Sequence, residues 1–234
     1  MIKPIEILKP NLLDKADIFD FQDNEINLNQ GLKNKVEGGF KAAFEEPVKI
    51  SKILIKNTDI SNIQIAFKAS AEAESFTPFE GFALAHSGRD VLVSFSVPLE
   101  AAAFKFSFNG GDSSESVFFH NLIIADSLLL LDKALSSFTP SAYLRGGYHY
   151  TAAGSLITWK EFCKNSGSLT LENLPDSLKK TLEYICEENV FLTFIFYGSY
   201  DLSQSGEYAL TSPLKAELSR SGGLWTVRLE ITEK

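Results

Sequence analysis

Cysteine is almost absent from this 234-residue chain, which has 2, Cys163 and Cys186. Two cysteines so far apart give neither a disulfide framework nor the paired ligand spacing of a zinc site. Each stands in an apolar setting, so a buried free thiol is expected at both. Arginine is scarce too, four against a large majority of lysines, which leaves no cluster to clamp phosphates. The formal charge of -8 and a pI near 5.0 exclude a nucleic-acid backbone or an anionic membrane surface as the main partner. Long hydrophobic runs are missing. The most apolar one, residues 121–135, is broken by Asp126 and Asp132 and falls short of the roughly 20 residues a membrane span needs. The first twenty residues carry charges, Pro4 and Pro10 within their apolar stretch, unlike a signal peptide. A soluble chain made in a reducing cytoplasm is expected.

The signatures of chemistry are missing as well. There is no Gly-x-Ser-x-Gly elbow, no phosphate loop and no His-Glu-x-x-His, the local patterns that place a nucleophile, a phosphate or a zinc ion. His86, His120 and His149 are scattered, with no acid at metal-ligand spacing. His120 reads as a satisfied histidine in an apolar strand, and His149 as a surface residue facing opposite to Tyr148 and Tyr150. The acidic run Asp14, Asp17, Asp20, Asp23 and Glu25 is the one metal candidate. Its spacing by three differs from a calcium loop, whose ligands fall at every second residue around a glycine, so a solvated loop face is expected. No catalytic, cofactor-binding or metal-ligating residue is assigned, no cofactor is expected, and the chain is read as a non-enzyme.

What the sequence does hold is strands. Residues 48–55, 62–67, 91–97, 103–108 and 117–124 place Phe, Val and Ile at every second position, and turn residues bound the runs. Glycine pairs such as Gly38-Gly39 and Gly146-Gly147 are read mostly as turns. Residues 1–125 are expected to form an antiparallel β-sandwich. Residues 126–234 are expected to form a smaller α+β domain with one helix on a β-sheet. Strands are expected at 128–131, 141–151, 190–197, 207–218 and 224–231. The helix is expected over 174–189. Pro175 falls in its first turn, Leu178, Leu182, Tyr184, Ile185 and Cys186 recur at helical spacing, and Asn189 is a left-handed cap. The continuous apolarity of 190–197 predicts a strand covered on both faces. The fold class is therefore mainly β, in two modules.

One loop has the composition of a ligand site. Between Ser75 and Asp90 it holds Phe79 and Phe82 with His86 and Arg89. Sugar faces stack on rings while hydroxyls take polar donors, so these four residues are the candidate carbohydrate site. Against that stands a purely packing role, with Phe79 and Phe82 plugging the end of the sandwich. Tyr148, Tyr150, Tyr197 and Tyr200 are candidate interface residues, because tyrosine joins contact area to a hydrogen bond.

The strand run over 34–125, with paired segments such as Val48-Lys-Ile50 and Ile63-Gln-Ile65, resembles the discoidin/galactose-binding-like sandwich. Residues 140–234 resemble small domains of tailed-bacteriophage tail and baseplate proteins. The matching features are Tyr148-His-Tyr150, Gly154-Ser-Leu-Ile-Thr-Trp159, Leu169-Thr-Leu171 leading into a helix, the strand from Phe191 to Tyr197, Glu207-Tyr-Ala-Leu210 and the closing Trp225-Thr-Val-Arg-Leu-Glu230. That resemblance implies a structural protein of a phage or prophage tail, acting through protein–protein contacts in a homo-oligomer and located in a virion or tail-like particle. A carbohydrate-binding module that uses the 76–89 loop is the other reading.

Overall fold

The computed structural model describes residues 3–28, 33–108, 116–150, 156–189, 191–197, 202–218 and 223–234, with side chains outside 3, 133, 142–150 and 156–163. In chain order the strands are β1 (Lys3–Leu8), β2 (Asp17–Phe19), β3 (Asn34–Glu37), β4 (Gly39–Lys56), β5 (Ile63–Lys68), β6 (Thr77–Phe79), β7 (Phe82–Ser87), β8 (Asp90–Phe108), β9 (Ser116–Phe119), β10 (Asn121–Ala125), β11 (Ser127–Tyr150) and β12 (Leu156–Leu174). Helix α1 (Asp176–Glu188) follows, then β13 (Phe191–Phe196), β14 (Gly206–Leu210), β15 (Lys215–Leu218) and β16 (Trp225–Glu233). The protein is mainly β, and every ladder of described register is antiparallel. Among the described residues no helix is long and apolar enough to cross a membrane.

Two compact units divide the chain. The first is Leu8–Leu128 with Asp201–Ser203, and the second is Met1–Ile7, Leu129–Tyr200 and Gln204–Lys234.

In the first unit two long strands set the frame. Expected as separate runs, 91–97 and 103–108 are one strand, β8, and the 48–55 run is the end of the 18-residue β4. The sequence reading broke both at proline, which removes a ladder donor. The sheet keeps the prolines by placing them at bulges. β4 and β8 pair through Gly39↔Ser107 to Ala43↔Ala103 and again through Lys52↔Ser94 to Ile55↔Val91, with register shifts between that hold Pro47 and Pro98. β2 and β5 flank the first stretch, while β10 and β7 flank the second. Phe40, Phe104, Phe106, Phe108 and Phe119 are fully buried in its core, with Phe40 and Phe106 centroids 5.0 Å apart. Each contributes about 1.5–3 kcal/mol by leaving water. Gly39 lets the strands approach: at φ 146° a side chain there would meet the Phe106 carbonyl oxygen at 1.9 Å.

In the second unit the sheet closes on itself. Its order is β12-β11-β1-β13-β14-β16, and β12 also pairs with β16, which completes a ring of six strands; β15 adds to the far end of β16. Leu169, Leu171, Phe194, Val227 and Leu229 are fully buried. The expected strands at 128–131 and 141–151 are one, β11, and Gly146-Gly147 lie inside it beside a register shift rather than in a turn. The expected strand 207–218 is two, β14 and β15, with Pro213 in the gap between them. Helix α1 lies against β12 and β16, with Lys179 Nζ 4.7 Å from the Trp225 ring. Leu182 and Ile185 face inward, but Tyr184 is 64% exposed. Asn189 is extended (φ -122°, ψ 124°) instead of left-handed. Its side-chain amide donates to the Ile185 carbonyl and so satisfies an end group without a turn of that hand. β13 is buried at five successive positions, as its apolar run predicts.

Candidate interaction site

The feature of the second unit that its own sheet does not use is the far half of the β11–β12 hairpin. β12 pairs with β16 from Ser166↔Thr232 inward, and with β11 from Leu135↔Leu171 out to Tyr150↔Leu156. β1 is only six residues long. Lys9 N donates to Asp126 O at 2.9 Å, so β1 flanks the near half of β11. In the described registers residues 141–150 pair with 156–165 and with no further strand, and at the root Asn165 N is taken by Glu233 Oε2. At about 3.3 Å per residue the ten-residue ribbon reaches about 33 Å from its root. Both outer edges carry backbone donors and acceptors outside any described ladder. A two-stranded ribbon is marginal alone in water, and such an edge is a template for another strand. The segment is rich in Tyr143, Tyr148, Tyr150, Trp159 and Phe162, the residue types enriched where proteins meet.

The root of this arm is built to hold it in place. Gly167 lies under Phe138, and a β-carbon there would meet the ring at 2.3 Å and the Thr139 carbonyl oxygen at 3.0 Å. Phe138 in turn stacks on Phe196, centroids 4.7 Å apart. Asn165 N donates to Glu233 Oε2 at 3.1 Å, and the hydroxyls of Ser141 and Ser166 share a hydrogen bond of 2.6 Å. A glycine here allows close approach of ring to backbone.

The residues singled out from sequence fall in several places. Tyr148 and Tyr150 lie on the arm, opposite Thr158 and Leu156; their side chains, with those of His149 and Cys163, are outside the described ones. Tyr200 also lies outside the described residues. Tyr197 is half-buried, and its hydroxyl donates to the buried Glu6 carboxylate. Burial first, then that carboxylate, raises the phenol well above its ordinary value. Phe79 and Phe82 come together in a cluster with Phe95 and Phe67 that packs on the core. His86 is exposed near the other end of β7, about 13 Å along the strand from Phe82, and Arg89 is exposed in the turn that follows. The four are not gathered in one place.

Within the acidic run, residues 20–24 form a turn held by the Asp20 side chain, while Asp17 lies in β2. Asp20 Oδ1 accepts from Gln22 N and Asn24 N, and Oδ2 from the Asn24 amide, which lowers the Asp20 pKa. Asp23 pairs with Lys41 at 2.6 Å. His120 Nδ1 lies 3.0 Å from the Asn57 amide nitrogen. Among the described residues no group of three or more His, Cys, Asp or Glu could hold a metal ion. Cys186 is a half-buried free thiol; burial, with Glu187 and Glu183 nearby, pushes it up to about 12.

Sequence reasoning missed β12 from 156 to 168. Leu-Ile-Thr-Trp-Lys-Glu-Phe-Cys does not alternate, so it lacks the period-2 signal by which the other strands are read. Compared with known proteins, the chain matches no family model, no curated protein and no solved structure.

Proposed function

We propose that this is a non-enzymatic structural protein of phage or prophage tail or baseplate type, which assembles with further copies through the hairpin arm. The arm carries this reading: a ribbon of about 33 Å whose edges, among the described residues, pair with no further strand gains stability by adding to the sheet of a neighbour. A six-stranded ring with one helix and a protruding hairpin would supply two unlike surfaces, the arm and the body that receives it. Head-to-tail contact of unlike surfaces makes rings when the rotation closes. In this reading the first unit is a β-sandwich carried by the assembling unit, the two stretches of β4 and β8 belonging to its two layers.

Light scattering on size-exclusion fractions tests the proposal. The full chain is expected as one closed oligomer. A variant in which residues 143–163 are replaced by a short Gly-Asn turn is expected as a folded monomer with an unchanged far-ultraviolet helix signal. A full chain that stays monomeric at every concentration overturns it.

A further inference from the structure

The outer face of the first unit holds a groove that the assembly reading does not account for and to which the 76–89 loop gives only Phe76. It lies over β2, β4, β8 and β5, and its volume is about 500 Å³, within the roughly 300–1,000 Å³ typical of small-molecule sites. Its floor is methyl groups, Ala43 directly opposite Ala103 across the β4–β8 ladder. Three lysines rise around this floor. Lys41 is directly opposite Lys105, and Lys68 is opposite Ala103 on the other side. Like charges facing each other across a ladder cost stability, and this chain is acidic overall. The cluster therefore runs against both local pairing and net charge.

The lysines are turned away from the floor. Lys105 Nζ lies 4.7 Å from the Phe21 ring centroid and Lys68 Nζ 5.1 Å from that of Phe76, while Lys41 pairs with Asp23. Cation–π contact holds the Lys68 and Lys105 ammonium groups beside these rings with hydrogens still available. What results is a flat apolar bed with cations along its rim; one further acid, Glu74, lines it. We infer that this groove binds an acidic oligosaccharide, one whose sugar rings carry carboxylates. The aliphatic faces of the rings lie on Ala43 and Ala103, and the carboxylates meet Lys68 and Lys105. An extended peptide suits it less: β4, β8 and β5 are interior strands whose edges are paired on both sides over this face, so no main chain can add to them.

Isothermal titration of the full chain decides the matter, with trigalacturonate as probe and galactotriose and triglutamate as comparisons. Trigalacturonate is expected to bind, galactotriose and triglutamate to bind far more weakly. The double substitution Lys68→Gln/Lys105→Gln is expected to lower trigalacturonate affinity by about tenfold or more, as is Ala103→Leu, which fills the bed. Lys49→Gln, on an exposed lysine elsewhere in β4, is expected to change nothing. Circular dichroism melts identify any variant that has unfolded, and the lysine pair, being on the surface, keeps the test valid if Ala103→Leu fails to fold. No binding of trigalacturonate, equal binding of triglutamate, or undiminished binding by the folded double variant overturns the inference.

Discussion

Single residues decide how closely backbone and rings approach in this protein, and glycine is the sharpest case. At Gly167 any side chain collides with a phenylalanine that is itself stacked on Phe196, so the ring has nowhere to retreat. Gly167→Ala is expected to destabilise by about 1–3 kcal/mol through overpacking, read as a lower urea midpoint. Nothing in the sequence marks Gly167, because its reason is a ring 29 positions away. The titrating residues give a second prediction at this scale. Cys186 is raised from 9.0 to about 12, and Tyr197 and Tyr208 are raised above 10.0. Each is held neutral in the fold, so the unfolded chain loses these protons first and stability falls as pH rises past the unfolded values. The contribution is complete below about pH 8 and lost progressively toward pH 12. Urea midpoints measured across pH 7–11 are expected to decline above pH 9, and Cys186→Ala to make the decline shallower. A flat profile contradicts the burial of these groups.

Elements are tied to one another by a few polar contacts at their ends. Lys56, the last residue of β4, reaches Asp90 at 2.9 Å and the carbonyls of Leu202 and Ser203 at 2.9 and 2.8 Å. Asp90 also accepts from Asn57 N. The pair is nearly buried, with side chains 12% and 9% exposed. Asp90→Asn leaves the ammonium buried without its counter-charge, and breaking such a pair costs about 3–5 kcal/mol. Chemical denaturation of this variant is expected to show that loss, and Lys56→Gln/Asp90→Asn to recover part of it. Period-2 patterning made the existence of most strands legible, since Phe104, Phe106 and Phe108 bury every second side chain, whereas residues 39–47 of β4 were not read as strand. Their continuity was not legible, because Pro47 and Pro98 look like strand ends until the bulge that each sits in is known. The helix was legible from Leu182 and Ile185. Its cap was not, since the Asn189 side chain does the work that a left-handed turn was expected to do.

At the scale of the whole molecule, the groove on the first unit and the arm on the second are both products of pairing between distant segments. That is why neither was visible in the sequence: the lysines at 41, 68 and 105 meet only across three strands, and the arm exists only because 141–150 finds 156–165. Of the tyrosines picked out by composition, Tyr148 and Tyr150 fall on the arm, whereas Tyr197 serves Glu6 inside its own unit. In the proposed assembly the arm is covered by a neighbour in solution. Amide hydrogen exchange over a dilution series measures this most directly. Protection of residues 141–150 and 156–165 is expected to rise with protein concentration, while that of the buried strand β13 stays constant. Arm amides that exchange equally fast at every concentration would contradict it.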